Sequence, residues 1–166
     1  MHPENTSIIQ MTKGKILLGL LAASIIATGP ALALDEAKEN PKLQHRQNIM
    51  EIVKYSLLGM RDIIKGDVTD QSQFPALARS MANASSIATK AFAPDTRSLE
   101  GKTTAKDKIW DNWEDFSKRM AAFNADAQDL AMVAKEGSMK KNILAFKKTA
   151  KNCKSCHDEY RKEHDH

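Results

Sequence analysis

Apolar residues recur at intervals of three and four along four stretches of this chain, and Val, Ile and Thr form no alternating run. A period near 3.6 marks an amphipathic helix, whereas a half-buried strand repeats every two residues. In the first stretch, residues 41–64, the stripe is Ile49, Val53, Leu57, Met60 and Ile64, widened by Ile52 and Leu58. It ends at Lys65-Gly66-Asp67, where Gly66 suits a left-handed cap. The second, residues 74–92, aligns Phe74, Leu77, Met81, Ala84, Ala88 and Ala91, with Pro75 in its first turn and Pro94 beyond its end. A polar segment, residues 95–104, forms a long loop containing Gly101. The third helix is expected over residues 105–135, opened by Thr104 and Asp107 as a capping box with the shorter acid. Its stripe is Trp113, Phe116, Met120, Phe123, Ala127, Leu130 and Ala134. The fourth, residues 138–162, aligns Ile143, Phe146, Ala150, Cys153, His157 and Tyr160. Four such faces on mostly short connections bury best as an all-α, antiparallel up-down-up-down four-helix bundle. Ala and Met make these faces thin, which suits a large apolar group held inside and equally suits close helix packing.

Residues 1–33 read as a separate object. Lys13 and Lys15 precede an almost wholly apolar run from Ile16 to Thr28, and Ala31 and Ala33 supply small residues at a cleavage site. That layout predicts a secretory signal peptide cut after Ala33, leaving one domain over residues 34–166. The run is short for a bilayer span, and no later stretch is apolar enough to be one, so the chain is not expected to be an integral membrane protein. Losing Lys13, Lys15 and Glu4 with the signal lowers the formal charge only from +4 to +3. With no basic stripe, nucleic-acid binding is not expected. At 42% hydrophobic and 28% charged, the composition excludes a disordered chain.

Cysteine usage carries the chemistry. The chain has two cysteines, Cys153 and Cys156, in the run Cys153-Lys154-Ser155-Cys156-His157. A bond between residues three apart closes almost no loop and staples nothing. The C-x-x-C-H form is that of covalent c-type haem attachment. On a helix the three side chains share one side, so two thiols meet the two haem vinyl groups and the imidazole reaches the iron. Export fits this reading, because the attachment is made outside the cytoplasm. A thioredoxin-like pair belongs at a strand-to-helix turn of an α/β domain, and zinc needs two further ligands, for which only His45, His164 and His166 remain. For the distal side, His45, Met50, Tyr55 and Met60 lie in the first helix, and periodicity alone singles out none of the eight methionines.

The stretch Cys153 to Arg161, together with Arg46-Gln-Asn-Ile-Met50, Gly59-Met60, Lys65-Gly66-Asp67 and Ile109-Trp110, resembles the cytochrome c-prime and cytochrome c-556 family over the whole of residues 34–166. The resemblance implies a periplasmic four-helix bundle with one covalently bound haem c per chain, often paired as a homodimer. High-spin members leave the sixth iron position without a protein ligand and bind NO or CO, while the low-spin c-556 branch fills it with methionine. The resemblance matches Met50 to that distal position, counting back from Lys65-Gly66, Arg46 to a residue near a haem propionate, and Arg161 to an arginine one turn past the proximal histidine. The expectation is therefore a c-556-like carrier of single electrons, ligated by His157 and Met50 and serving a redox partner protein, with no enzymatic activity. A gas-binding protein of the high-spin kind is the alternative. Tyr160 and Trp110 are expected beside the porphyrin, and Phe116 and Phe123 in the plain core.

Overall fold

The computed structural model describes residues 40–136 and 138–163; the expected signal segment 1–33 lies outside them. Helix α1 spans Pro41–Lys65, α2 Phe74–Phe92, α3 Lys108–Asp111, α4 Trp113–Lys135 and α5 Met139–Tyr160, with a single 3-10 turn, Gln71–Gln73, before α2. The four long helices form the antiparallel bundle that the periodicity predicts. No helix among the described residues is long and apolar enough to cross a membrane.

Local chemistry accounts for the ends of α1 and the start of α2. Asn40 caps α1 through its side chain, accepting from the Lys42 N–H at 3.0 Å, and Pro41 occupies the first turn. Gly66 closes α1 at φ 85°, and the Gly66 and Asp67 N–H groups donate back to the Ile63 and Asp62 carbonyls. Asp70 accepts from the Ser72 N–H and hydroxyl, which turns the chain into α2.

The third predicted helix is not continuous. Residues 104–106 are drawn instead into backbone pairing with the end of α5: Ala105 bridges Arg161, the Lys106 N–H donates to the Tyr160 carbonyl at 2.9 Å, and the Lys162 N–H donates to the Thr104 carbonyl at 2.7 Å. The Thr104–Asp107 capping box therefore does not form, and Asp107 precedes α3 without a side-chain cap. Asn112, at φ −123° and ψ 47°, breaks the helix between α3 and α4. The Trp110 indole donates to the Phe92 carbonyl at 3.0 Å, tying this short turn to the end of α2.

The core is the stripe of α4, namely Phe116, Met120, Phe123, Ala127, Leu130 and Ala134, closed by Ile49, Val53, Met60 and Ile63 of α1 and by Phe74, Ala78, Met81 and Ala88 of α2. Small residues on α2 permit close approach to its neighbours. Gln128 of α4 donates to the Ala82 carbonyl at 2.9 Å, and Ser85 donates to the Asn124 side-chain oxygen at 2.9 Å. On the α1 side, a Cβ added at Gly59 would stand 3.0 Å from the Leu77 side chain. The alanines thus serve helix packing. Ile52, expected to widen the α1 stripe, is instead 49% exposed.

Packing runs in sequence, α1 on α2, α2 on α4 and α4 on α5. The α5 helix departs from its expected stripe. Its fully buried residues are Asn142, Thr149 and Tyr160, while Ile143, Phe146, Ala150 and Cys153 are only half-buried. A polar seam fastens it to α4. Thr149 Oγ1 donates to the Asp126 carbonyl at 3.1 Å, Asn152 donates to Asp126 Oδ2 at 2.8 Å, and Lys148 pairs with Asp126 Oδ1 at 2.8 Å. Burial acts to raise the Asp126 carboxyl, but the bonds from Lys148 and Asn152 outweigh it and hold the carboxyl below its ordinary range.

A depressed carboxyl contributes its stability above the unfolded-state carboxylate pKa and loses it as pH falls through the folded value. Asp126→Asn is expected to lower the unfolding free energy near neutral pH by about 1 kcal/mol. It is also expected to flatten the acid limb of the stability–pH profile. Urea titrations between acid and neutral pH check both.

Candidate functional site

Helices α1 and α5 face each other across a cavity of about 430 Å³, within the size range of cofactor sites. Its α1 wall carries Arg46, Met50, Val53 and Leu57; α4 contributes Phe116, Arg119, Met120 and Phe123; α5 contributes Cys153, Cys156, His157, Tyr160 and Arg161. Residues 103–105 and Ile109 close one end. At the motif end of α5, Cys153, Cys156 and His157 face this cavity, which accounts for the half-burial of the two thiols.

All six residues singled out from the sequence line this one cavity, although Arg46 and His157 are more than a hundred positions apart. Cys153 and Cys156 are both unbonded thiols. Burial pushes each thiol up, and for Cys156 the Arg119 charge partly opposes that. His157 is exposed at the mouth of the cavity, yet desolvation by the walls, followed by the charge of Arg161, lowers its imidazole. A neutral imidazole is the form that donates a lone pair to iron. Among the described residues no cluster of three or more His, Cys, Asp or Glu side chains is arranged to hold a metal ion by itself.

Arg46 is the most unusual group in the site. It is 2% exposed, and its guanidinium donates to the hydroxyls of Thr96 and Thr103 while lying 5.1 Å from the Phe92 ring centroid and 5.4 Å from that of Trp110. Desolvation by burial lowers its pKa. Two neutral hydroxyls and two ring faces leave a buried cation without a carboxylate, an arrangement suited to receiving an anionic group from within the cavity. Apolar walls, two thiols and an imidazole on one helix, and a buried guanidinium together match haem, a flat apolar macrocycle that carries carboxylates.

Several residues fall differently from the expectation. Trp110 backs Arg46 and does not line the cavity; Phe116 and Phe123 belong to the core as expected and also line it. Met120 of α4 joins Met50 on the lining, while His45, Tyr55 and Met60 lie outside it. Arg119 and its partner Asp115 were not singled out. Their only sequence signal is an acid four residues before an arginine on one helix, a pattern common on solvated surfaces.

Comparison with known proteins gives likenesses of one kind. The family model described as Cytochrome C' matches residues 42–161. The chain is similar to the cytochrome c prime of Shewanella frigidimarina at 33% identity, with a TM-score of 0.68 over 74% of this chain and 94% of that one. It is similar at 28% identity to a cytochrome c' described as having an unusual ligand-controlled dimer dissociation, with a TM-score of 0.68 over 74% and 95% of the two chains. At 28% identity and a TM-score of 0.65, over 74% and 94%, it resembles the nitric oxide complex of the L16I mutant of cytochrome c prime from Alcaligenes xylosoxidans.

These likenesses overturn the expected electron carrier with a haem ligated by His157 and Met50. They are to cytochromes c', the high-spin branch, and nothing in them points to the c-556 branch. An iron that accepts NO offers a coordination position that a bound thioether would fill. The redox partner inferred for that electron carrier loses its basis with it.

Covalent attachment is directly testable. Acidic acetone is expected to leave the haem on the wild-type protein and to strip it from a Cys153→Ser, Cys156→Ser double variant. Extraction of haem from the wild type would contradict the assignment.

Proposed function

The chain belongs to the cytochrome c' family, whose members carry one covalently bound haem c per chain, and from that membership we propose that it is a periplasmic high-spin haem protein that binds NO or CO. The observation that supports this reading best is the composition of the cavity: one imidazole on α5, and an α1 wall of Met50, Val53 and Leu57. When bound, haem supplies an iron position at which a neutral diatomic attaches.

The chain's own residues divide the remaining work. Cys153 and Cys156 would hold the group through thioethers. His157, its imidazole lowered by desolvation, would supply the lone pair to the metal. Arg46, buried by the fold, would pair with a haem carboxylate and thereby have its charge neutralised. Met50 acts as an apolar cover, its thioether packing on the α1 wall without coordinating. The apolar walls exclude water and favour small uncharged ligands over polar ones. Arg161 lines the same cavity and adds positive charge beside His157. In this role the protein is a binder and not an enzyme.

Location and assembly follow from the same reading. Residues 1–33 act as a signal peptide removed in export, and residues 34–166 remain as the cytochrome domain. A homodimer is proposed on the likeness to the cytochrome c' with ligand-controlled dimer dissociation.

Ferrous and ferric visible spectra of the purified protein are expected to be high-spin, with CO binding in one fast phase. Met50→Leu is expected to leave the coordination number unchanged and to alter the CO association rate by less than about tenfold, as repacking of one apolar wall residue does. A low-spin spectrum with a methionine–iron charge-transfer band in the wild type would refute the reading. N-terminal sequencing of the exported protein is expected to begin at Leu34.

A further inference from the structure

The turn that carries the haem motif is held to α4 at two points, and these bracket His157. The first is Arg119, whose Nη1 donates to the Ser155 carbonyl at 3.3 Å. Ser155 is the residue between the second position of the motif and Cys156, so this bond grips the backbone between the two attachment thiols. The second is the Tyr160 hydroxyl, which donates to Asp115 Oδ2 at 2.6 Å. The two points are joined on α4 itself, because Arg119 Nε donates to that same Oδ2 at 2.7 Å. Asp115 and Arg119 are one turn apart on one helix face. The ring of Tyr160 is 4% exposed, meets Phe116 edge-on at 5.3 Å and lies 5.9 Å from the Arg119 guanidinium.

We propose that Arg119, oriented by Asp115 and Tyr160, is a positioning residue that sets where the Cys153–His157 turn presents its imidazole to the haem. The argument is geometric. A helix carbonyl keeps a second lone pair after its intrahelical bond, so Ser155 accepts Arg119 without cost to α5. The guanidinium is a rigid fork, and with one arm on Asp115 and another on Ser155 its plane is determined. Lysine has a single ammonium on a flexible stem and cannot reproduce both arms. Asp115 and Arg119 are 50% and 37% exposed, so as an ion pair they contribute little stability. Their effect is therefore expected in the placement of the turn more than in the melting temperature. This inference rests on haem attachment at the motif, and its Raman readout on the five-coordinate iron of the proposed function.

The test compares the haem-loaded wild type with Arg119→Met, Arg119→Lys and Tyr160→Phe, each first checked for covalent haem. Two readouts are taken: the iron–histidine stretching band of the ferrous protein by resonance Raman, and amide hydrogen exchange over residues 153–160. Arg119→Met and Arg119→Lys are both expected to shift the band and to raise exchange by about fivefold, the factor that one lost hydrogen bond carries. Tyr160→Phe is expected to do the same to a smaller extent, and combining it with Arg119→Met is expected to add less than the two single changes together. Full recovery in Arg119→Lys would assign the effect to charge and overturn the proposal, as would an unmoved band and unmoved exchange in every variant. A six-coordinate wild type would defeat the gas-binding reading alone, since the exchange comparison does not depend on coordination number. A five-coordinate wild type with unchanged exchange in the variants would defeat the positioning role alone.

Discussion

The bundle depends on the separation of α1 from α5. Three of the four helix–helix seams are packed in the ordinary way, but the fourth side is a cavity that α1 and α5 both line. The α5 helix consequently packs only part of its apolar stripe, Phe146 and Tyr160, on the core. It is held by the polar seam to Asp126 on one side and by backbone pairing with residues 104–106 at its C-terminal end. That pairing removes the expected first turn of the third predicted helix, and Asn112 divides the remainder into α3 and α4. The irregular segment before α4 is a consequence of closing one end of the cavity.

Charge follows the same logic. Most ion pairs of the described residues are exposed, join neighbouring side chains and contribute little. Arg46 is the exception, a cation taken out of water and placed against aromatic faces. Desolvating a guanidinium is costly unless its charge is met, and its two threonine hydroxyls do not meet it. Those hydroxyls also come from opposite ends of the long loop, Thr96 and Thr103. The residue suited to a haem carboxylate is therefore also the one that draws the loop over the cavity.

The distal side shows what spacing can and cannot decide. Counting from Arg46 and from Lys65-Gly66 brought Met50 to the cavity, and there it lies. Whether a thioether coordinates iron is a separate matter of distance and of the strain its helix accepts, and neither is written in a spacing. Kinship with cytochromes c' moves the reading from a six-coordinate electron carrier to a gas-binding protein while leaving the position of Met50 unchanged.

Helix identity, three of the four helix extents to within a few residues, and the haem motif were legible in the sequence, because each rests on contacts between near neighbours along the chain: the 3.6-residue stripe, the Gly66 cap, the shared face of Cys153, Cys156 and His157. Ile52 and Trp110 were misplaced and Arg119 was missed for the opposite reason. Which side of a stripe meets a helix, a cavity or solvent depends on where the other helices stand. Sequence alone determined what this chain can attach. Tertiary structure decided what surrounds the attachment, since the Arg46 cage, the Asp126 seam and the Arg119 brace each join groups more than twenty residues apart, and only the assembled bundle brings such groups within hydrogen-bonding range.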